Sequence, residues 1–222
     1  MSKTASAARN LDGQRLGRKG VETRDRLISA VATLLEHKAV RELRVADIAR
    51  EAGAPAPSFY RYFESVDDIL LATIAERAST GPTLFDLVRQ PWMPGRTRAR
   101  ATEFAAAFLS YWEEHFALLH ARNTVADEGD ERFARLRWSA ISPLFDELAA
   151  KIAERQASGH VAADVEPRSM AGVLMSSLER MGAGAGPTSR ARSDFPREQL
   201  AAAMGYVMSV SLGDPPVDGA AE

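Results

Sequence analysis

The sequence predicts an all-α protein with an N-terminal three-helix head and a C-terminal helical body. Three observations carry this. Apolar residues recur at helical spacing along most of the chain. No stretch alternates apolar and polar residues with the period of a strand. Val45, Ile48, Ala49 and Ala52 line one helix face that stops at Gly53, and a short aromatic-basic segment with Phe59 and Phe63 follows at once. A helix, a tight turn and a second short helix make a helix-turn-helix, whose second helix is the part that enters a DNA major groove.

Composition narrows the class. The chain has 222 residues, 45% hydrophobic and 26% charged, enough for one or two cores. It has no cysteine, which excludes disulfides, thiolate metal sites and cysteine nucleophiles and is compatible with a reducing cytoplasm. No apolar run reaches the roughly 18–20 residues of a membrane span. The basic N-terminus lacks the apolar stretch of a secretion signal. Residues 1–63 hold 12 Lys and Arg against 7 Asp and Glu, leaving 16 against 23 in the remainder. A basic first third on an acidic body suits a head that meets a polyanion, although chance clustering gives the same asymmetry.

Taken in order, residues 1–20 read as a flexible basic arm, with Arg15, Arg18 and Lys19 at its end. Such an arm suits a minor groove or phosphates, or simply keeps a terminus soluble. The first helix is expected from about Arg24 to Lys38, with Thr23 as N-cap and Leu27, Val31, Leu34 and Leu35 on its inner face. The head spans residues 21–65. Ser65, with Asp68 three positions on, predicts the capped start of a fourth helix, the mechanical link to a body over residues 66–212.

In that body, Gly81-Pro82 and residues 91–95 bracket a short helix. One long helix is expected from Thr97 to Arg122, and another from Phe133 to about Ser158 that Pro143 kinks or divides. Helices opened by Pro167 and Pro196 complete about nine or ten, and residues 213–222 read as a disordered tail.

Four separately placed elements then carry a family resemblance: Thr23-Arg24-Asp25-Arg26-Leu27-Ile28, Val45 to Gly53, Phe59-Tyr60-Arg61-Tyr62-Phe63, and Ile69-Leu70. Together, over about residues 20–75, they resemble the head of the tetracycline-repressor (TetR) family of bacterial regulators. The resemblance implies a homodimer on a roughly palindromic DNA operator, a body with a ligand pocket, and a four-helix dimer interface. It implies a ligand-responsive repressor, not an enzyme, needing no cofactor, located in the cytoplasm and on the nucleoid when bound to DNA. The chain departs from the family pattern at Ala39, at Arg44 in place of a capping threonine, at Pro55 and Pro57, and at Val66 in place of a lysine.

Expected DNA contacts are Arg18, Lys19, Thr23, Arg44, Pro55, Ala56, Ser58, Tyr60, Arg61 and Tyr62. Tyr60 and Tyr62 are read as outward-facing phosphate contacts, and Arg61 as a base reader whose fork matches guanine O6 and N7. Phe59 and Phe63 are assigned to the core. The pocket candidates are Phe104, Phe108, Tyr111, Trp112, Phe116, Trp138, Phe145, Met170 and Leu174, a stripe that serves as plain core or lines a cavity for a hydrophobic effector of fatty-acyl, steroid or aromatic type. Leu178, Met181, Leu200, Met204, Val207 and Met208 are the expected dimer-interface residues. His115 and His120 are wrongly spaced for a metal pair on one helix face, so no metal is expected. The glycine run from Gly182 to Gly186 has no preceding strand and is no dinucleotide loop. The rival readings are an all-α ligand-binding enzyme or carrier, and an interaction module with a degenerate head.

Overall fold

The computed structural model describes residues 11–214 apart from 12, 185 and 187–193. Most of the expected arm, much of the loop before the last helix and nearly all of the expected tail lie outside the described residues. No strand occurs among them. The helices are α1 (Arg18–Leu35), α2 (Val45–Glu51), α3 (Ala56–Phe59), α4 (Val66–Arg77), α5 (Pro82–Arg89), α6 (Thr97–Glu114), α7 (Phe116–Asp127), α8 (Glu131–Ala157), α9 (Pro167–Gly184) and α10 (Arg197–Ser211), with a 3₁₀ turn at Val40–Glu42. They form two compact units. One holds the described residues up to Ser79 with Ala117–Arg137, and the other holds Thr80–Phe116 with the described residues from Trp138 onward.

The first unit is built on α1. Leu27, Ile28, Val31, Leu34 and Leu35 are buried, and Ile48, Phe59, Phe63, Ile69 and Leu70 join them in one core. α1 begins six residues earlier than expected, after Gly17, so Thr23 is not its cap. Thr23 instead donates its hydroxyl to the Lys19 carbonyl at 2.9 Å, one turn back inside the helix. Arg18 and Lys19 consequently sit in the first turn of a helix and not in an arm.

Polar links hold the helices of this unit in register. Arg24 grips Glu76 of α4 through two bonds, at 2.6 and 3.2 Å. Lys38, and then Arg50, hold Asp47 and keep its carboxyl below the usual range, against a smaller opposing effect of burial. Ser65 caps α4 as expected, accepting from the Asp68 N–H at 3.1 Å, while the Asp68 carboxylate accepts from the Glu64 N–H. Arg41, on the 3₁₀ turn, pairs with Asp67 at 3.5 Å and with Glu128 in the α7–α8 loop. In the same loop Asp130 binds Arg132 and accepts from backbone N–H groups, which together hold its carboxyl down to about 2.

The second unit packs α10 along α6, with α5 and α9 also against α6. Its core contains Phe104, Phe108, Trp112, Leu144, Leu148, Ile152, Leu174 and Leu178. One expectation is corrected and one is narrowed. The segment from Thr97 to Arg122 is two helices, because the chain leaves helical geometry at His115 (φ −111°, ψ 18°). Conversely, α8 is undivided through Pro143. Proline removes one N–H donor, and in a helix of 27 residues the remaining bonds and the buried stripe hold the segment together.

Asp214 ties the end of the described chain back to the start of α6. Its carboxylate accepts from the Gly95 N–H at 2.9 Å and the Thr97 N–H at 3.2 Å, supplying an N-terminal cap from 117 residues away. Arg155 donates to the Leu212 carbonyl at 2.9 Å and fixes the same segment. Burial raises the Asp214 carboxyl, but the Gly95 and Thr97 donors and the Arg155 charge outweigh it and leave it below the usual value. A carboxyl depressed by folding stabilises the protein above the unfolded value of about 4 and loses that contribution as pH falls through the folded value. Asp214→Ala is expected to cost about 1 kcal/mol at pH 7. In paired thermal melts, the gap between wild type and variant should close as pH is lowered below about 4. A gap independent of pH would mean that the carboxylate charge contributes nothing.

Candidate functional site

The reading edge of the first unit grows out of the turn at Gly53. Its φ of +59° is a left-handed conformation that stops α2 at little cost only with glycine. Pro55 then takes the N-cap position of α3 and presets the chain for helix entry. Pro55, Ala56 and Pro57 are exposed and Ser58 is half-buried, so the start of α3 presents small side chains and little bulk. Phe59 turns inward with its ring 5.8 Å from that of Phe63, and Phe63 lies beneath the Arg24 guanidinium at 5.4 Å.

The expected contact residues separate into groups. Tyr60 is 57% exposed and stands edge-on to Phe59 at 5.4 Å, so its ring is braced while its hydroxyl is free to reach outward. Arg61 is exposed, and its carbonyl accepts from the Leu11 N–H at 3.2 Å, fixing the chain before α1 to the end of the reading segment. Arg18 and Lys19 are exposed on α1.

Tyr62 departs from the outward placement expected of it. It is only 8% exposed, because one residue of turn beyond Arg61 swings its ring into the core with Phe63. Arg44 is exposed at the N-cap of α2, but its guanidinium donates to the carbonyls of Arg41 at 2.8 Å and Leu43 at 3.0 Å. It makes no side-chain cap, as its lack of an acceptor requires.

The expected pocket residues all fall in the second unit. Phe104, Phe108, Trp112, Phe145 and Leu174 are buried, and Tyr111, Phe116 and Met170 are half-buried. Rings follow one another along α6: Trp92 to Phe104 at 6.3 Å, Phe104 to Phe108 at 6.4 Å, Phe108 to Tyr111 at 6.3 Å and Tyr111 to His115 at 5.1 Å. Trp138 is the correction here. It is 51% exposed, resting on Phe145 at 5.5 Å, because its position on α8 lies off the buried stripe of Ile141, Leu144, Leu148 and Ile152.

The dimer candidates need the larger correction. Leu178, Met204 and Met208 are buried within the protomer, and Met181 and Leu200 are half-buried. Of the six, Val207 alone is exposed, and Val173, Tyr206 and Val210 are exposed with it. Both faces of α10 are apolar: Ala201, Met204, Gly205 and Met208 turn inward, while Ala203, Tyr206, Val207 and Val210 form an outward stripe. Periodicity locates such faces but does not say which meets the protomer's own core. The second apolar face was the available signal for the exposed residues.

Comparisons with known proteins agree with this layout. Residues 27–73 match the family model of bacterial regulatory proteins of the tetR family, and residues 84–202 match that of the tetracyclin repressor-like C-terminal domain. The HTH-type transcriptional regulator EthR of Mycolicibacterium smegmatis is 33% identical over 141 residues. That stretch is 62% of this chain and 63% of the relative, so less than two thirds of EthR is spanned. A tetR-family regulator from Streptomyces coelicolor shares the fold with a TM-score of 0.65 at 18% identity, over 88% of this chain and 82% of that one. The regulator FadR of Bacillus subtilis, solved with stearoyl-CoA, superposes with a TM-score of 0.53 at 15% identity, over 86% of this chain and 98% of its own. With the C-terminal model alone matching more than half of its length, this chain belongs to the TetR family of bacterial regulatory proteins.

Proposed function

We propose that this protein is a transcriptional repressor that binds a roughly palindromic operator as a homodimer in the cytoplasm and is released by a small hydrophobic effector. The observation that carries the reading is the edge of α3. A braced, exposed tyrosine and an exposed arginine stand beside a start of helix made only of Pro, Ala and Ser, so backbone and side chains approach a groove without obstruction. Tyr60, Arg18 and Lys19 meet phosphates in this reading, Arg61 reads a base edge, and Pro55, Ala56 and Ser58 lie against bases. Tyr62 is assigned to support of the helix from beneath.

Selection of bound duplexes from random DNA, followed by shift assays across salt concentrations, tests it. The expected result is a two-fold-related consensus bound with a steep fall in affinity as salt rises. Failure to enrich any sequence, with salt-independent retention, would overturn the reading.

Sensing is assigned to the second unit. Its aromatic rings form an apolar interior in which a hydrophobic effector is desolvated as the protein side chains are. The stearoyl-CoA complex of the FadR neighbour supports a ligand of that type without extending to this chain. The effector acts only if it prefers the conformation that does not bind DNA, because equal affinity for both states shifts nothing. Release of the operator complex by fatty-acyl, steroid or aromatic compounds, and not by highly polar metabolites, is the expected outcome of an effector screen.

The dimer is assigned to the outward stripe of α10 with Val173 of α9. The doubly substituted Val207→Glu, Val210→Glu protein should run as a monomer in light scattering while keeping its helical content. It should also lose at least tenfold in operator affinity, since one head alone holds only one half-site. A dimer persisting in this variant would place the interface elsewhere.

A further inference from the structure

Trp112 is the largest fully buried side chain among the described residues, 1% exposed, yet its indole Nε1–H has no hydrogen-bond partner among them. Such a donor is costly to bury unpaired, and native interiors rarely retain one without a reason. The other tryptophan donor on this unit's buried side, Trp92 Nε1, behaves ordinarily and reaches the Leu87 carbonyl at 3.2 Å.

The seat of Trp112 is built for it. Gly182 of α9 lies so close that a Cβ there would stand 2.3 Å from the indole ring. Gly186, past the end of α9, meets the Phe116 ring in the same way, at 2.6 Å from a built Cβ. The two glycines and the two rings are each four residues apart, and each glycine gives one aromatic ring a close backbone contact. Phe108, one turn before Trp112, is fully buried, whereas Phe116, at the start of α7, is half-buried and forms the more open end of the cluster.

Resting on the reading of this unit as a ligand-sensing body, we infer that Trp112 Nε1–H is the polar anchor of the effector site. The group it takes is a neutral acceptor, such as a ketone, ester, amide or thioester carbonyl. A single N–H among phenyl rings satisfies one oxygen lone pair but does not compensate a buried negative charge. The effector is thus an apolar body with one uncharged carbonyl, and a free fatty or aromatic acid is a poorer fit than its ester or ketone.

Three probes that share a phenyl ring and a five-carbon chain isolate the oxygen: pentylbenzene, valerophenone and phenylpentanoate. Binding to the full-length protein is measured by calorimetry, alongside the indole N–H resonances in a proton–nitrogen correlation spectrum. Trp112→Phe, which keeps an aromatic ring and deletes the donor, identifies the Trp112 resonance. The expected result is valerophenone at least tenfold tighter than the hydrocarbon and the acid, with a downfield shift of the Trp112 N–H. Trp112→Phe should lose that tenfold advantage while binding pentylbenzene unchanged, and its retained melting temperature shows that the site is still folded.

The inference is overturned if valerophenone binds no better than pentylbenzene, if none of the three binds, or if the Trp112 resonance is unmoved at saturation. It is equally overturned if the variant keeps the preference, or if it unfolds and the wild-type resonance stays in place. None of these removes the broader reading if other apolar compounds still release the operator. That reading falls only if no hydrophobic compound does so.

Discussion

Gly205→Ala is expected to lower the melting temperature by roughly 6–12 °C, a loss of about 3 kcal/mol for a chain of this size. The sign is the instructive part. An alanine inside a helix ordinarily gains about 1 kcal/mol over glycine. At position 205 the added Cβ would stand 2.8 Å from the Thr102 amide nitrogen and 2.9 Å from its Cα, as well as 2.0 Å from its Oγ1. The hydroxyl can rotate away, but the α6 backbone cannot, so α10 must move off the helix against which it is most extensively packed. Buried Met204 and Met208 flank the contact and would lose their seating with it. Ala203→Gly, on the exposed face of the same helix, is the control and should cost only about 1 kcal/mol. Thermal melts of the two variants decide the matter: an alanine at 205 that stabilises would mean that the helices separate at no cost.

Arg61→Ala should carry the largest effect on DNA binding. One good arginine–base contact is worth about 1–3 kcal/mol, and a two-fold dimer loses it at both half-sites, giving roughly 2–6 kcal/mol or about 30-fold to 10⁴-fold in affinity. Tyr60→Phe removes one phosphate hydrogen bond per head and should cost about 1 kcal/mol at each. The two substitutions differ in kind as well as size. Tyrosine is uncharged, so Tyr60→Phe should leave the salt dependence unchanged. Loss of Arg61 from a base edge should relax the sequence preference at one position of each half-site, whereas its loss from a phosphate would weaken all sequences alike and flatten the salt dependence. Shift assays at fixed salt, repeated on single-base operator variants, separate these outcomes. Unchanged affinity in both variants would remove α3 as the reading edge.

The sequence determined the features that rest on neighbours close along the chain. The all-helical class, the apolar face of α2, the stop at Gly53 and the Ser65 cap each depend on a few adjacent residues, and each is present in the structure. The tertiary structure alone decided matters that depend on residues far apart. It placed Tyr62 inward and Trp138 outward, although both sit among aromatics of similar character. It broke the helix at His115, where neither glycine nor proline announces a boundary, and carried α8 past a proline that does. It also chose which of the two apolar faces of α10 is buried in the protomer, the face on which Gly205 lets the Thr102 backbone, about a hundred residues away, approach closely. Local hydrogen bonding and side-chain period are written in short stretches of sequence. Which face meets which neighbour is settled only when distant backbones approach closely enough for a single Cβ to matter.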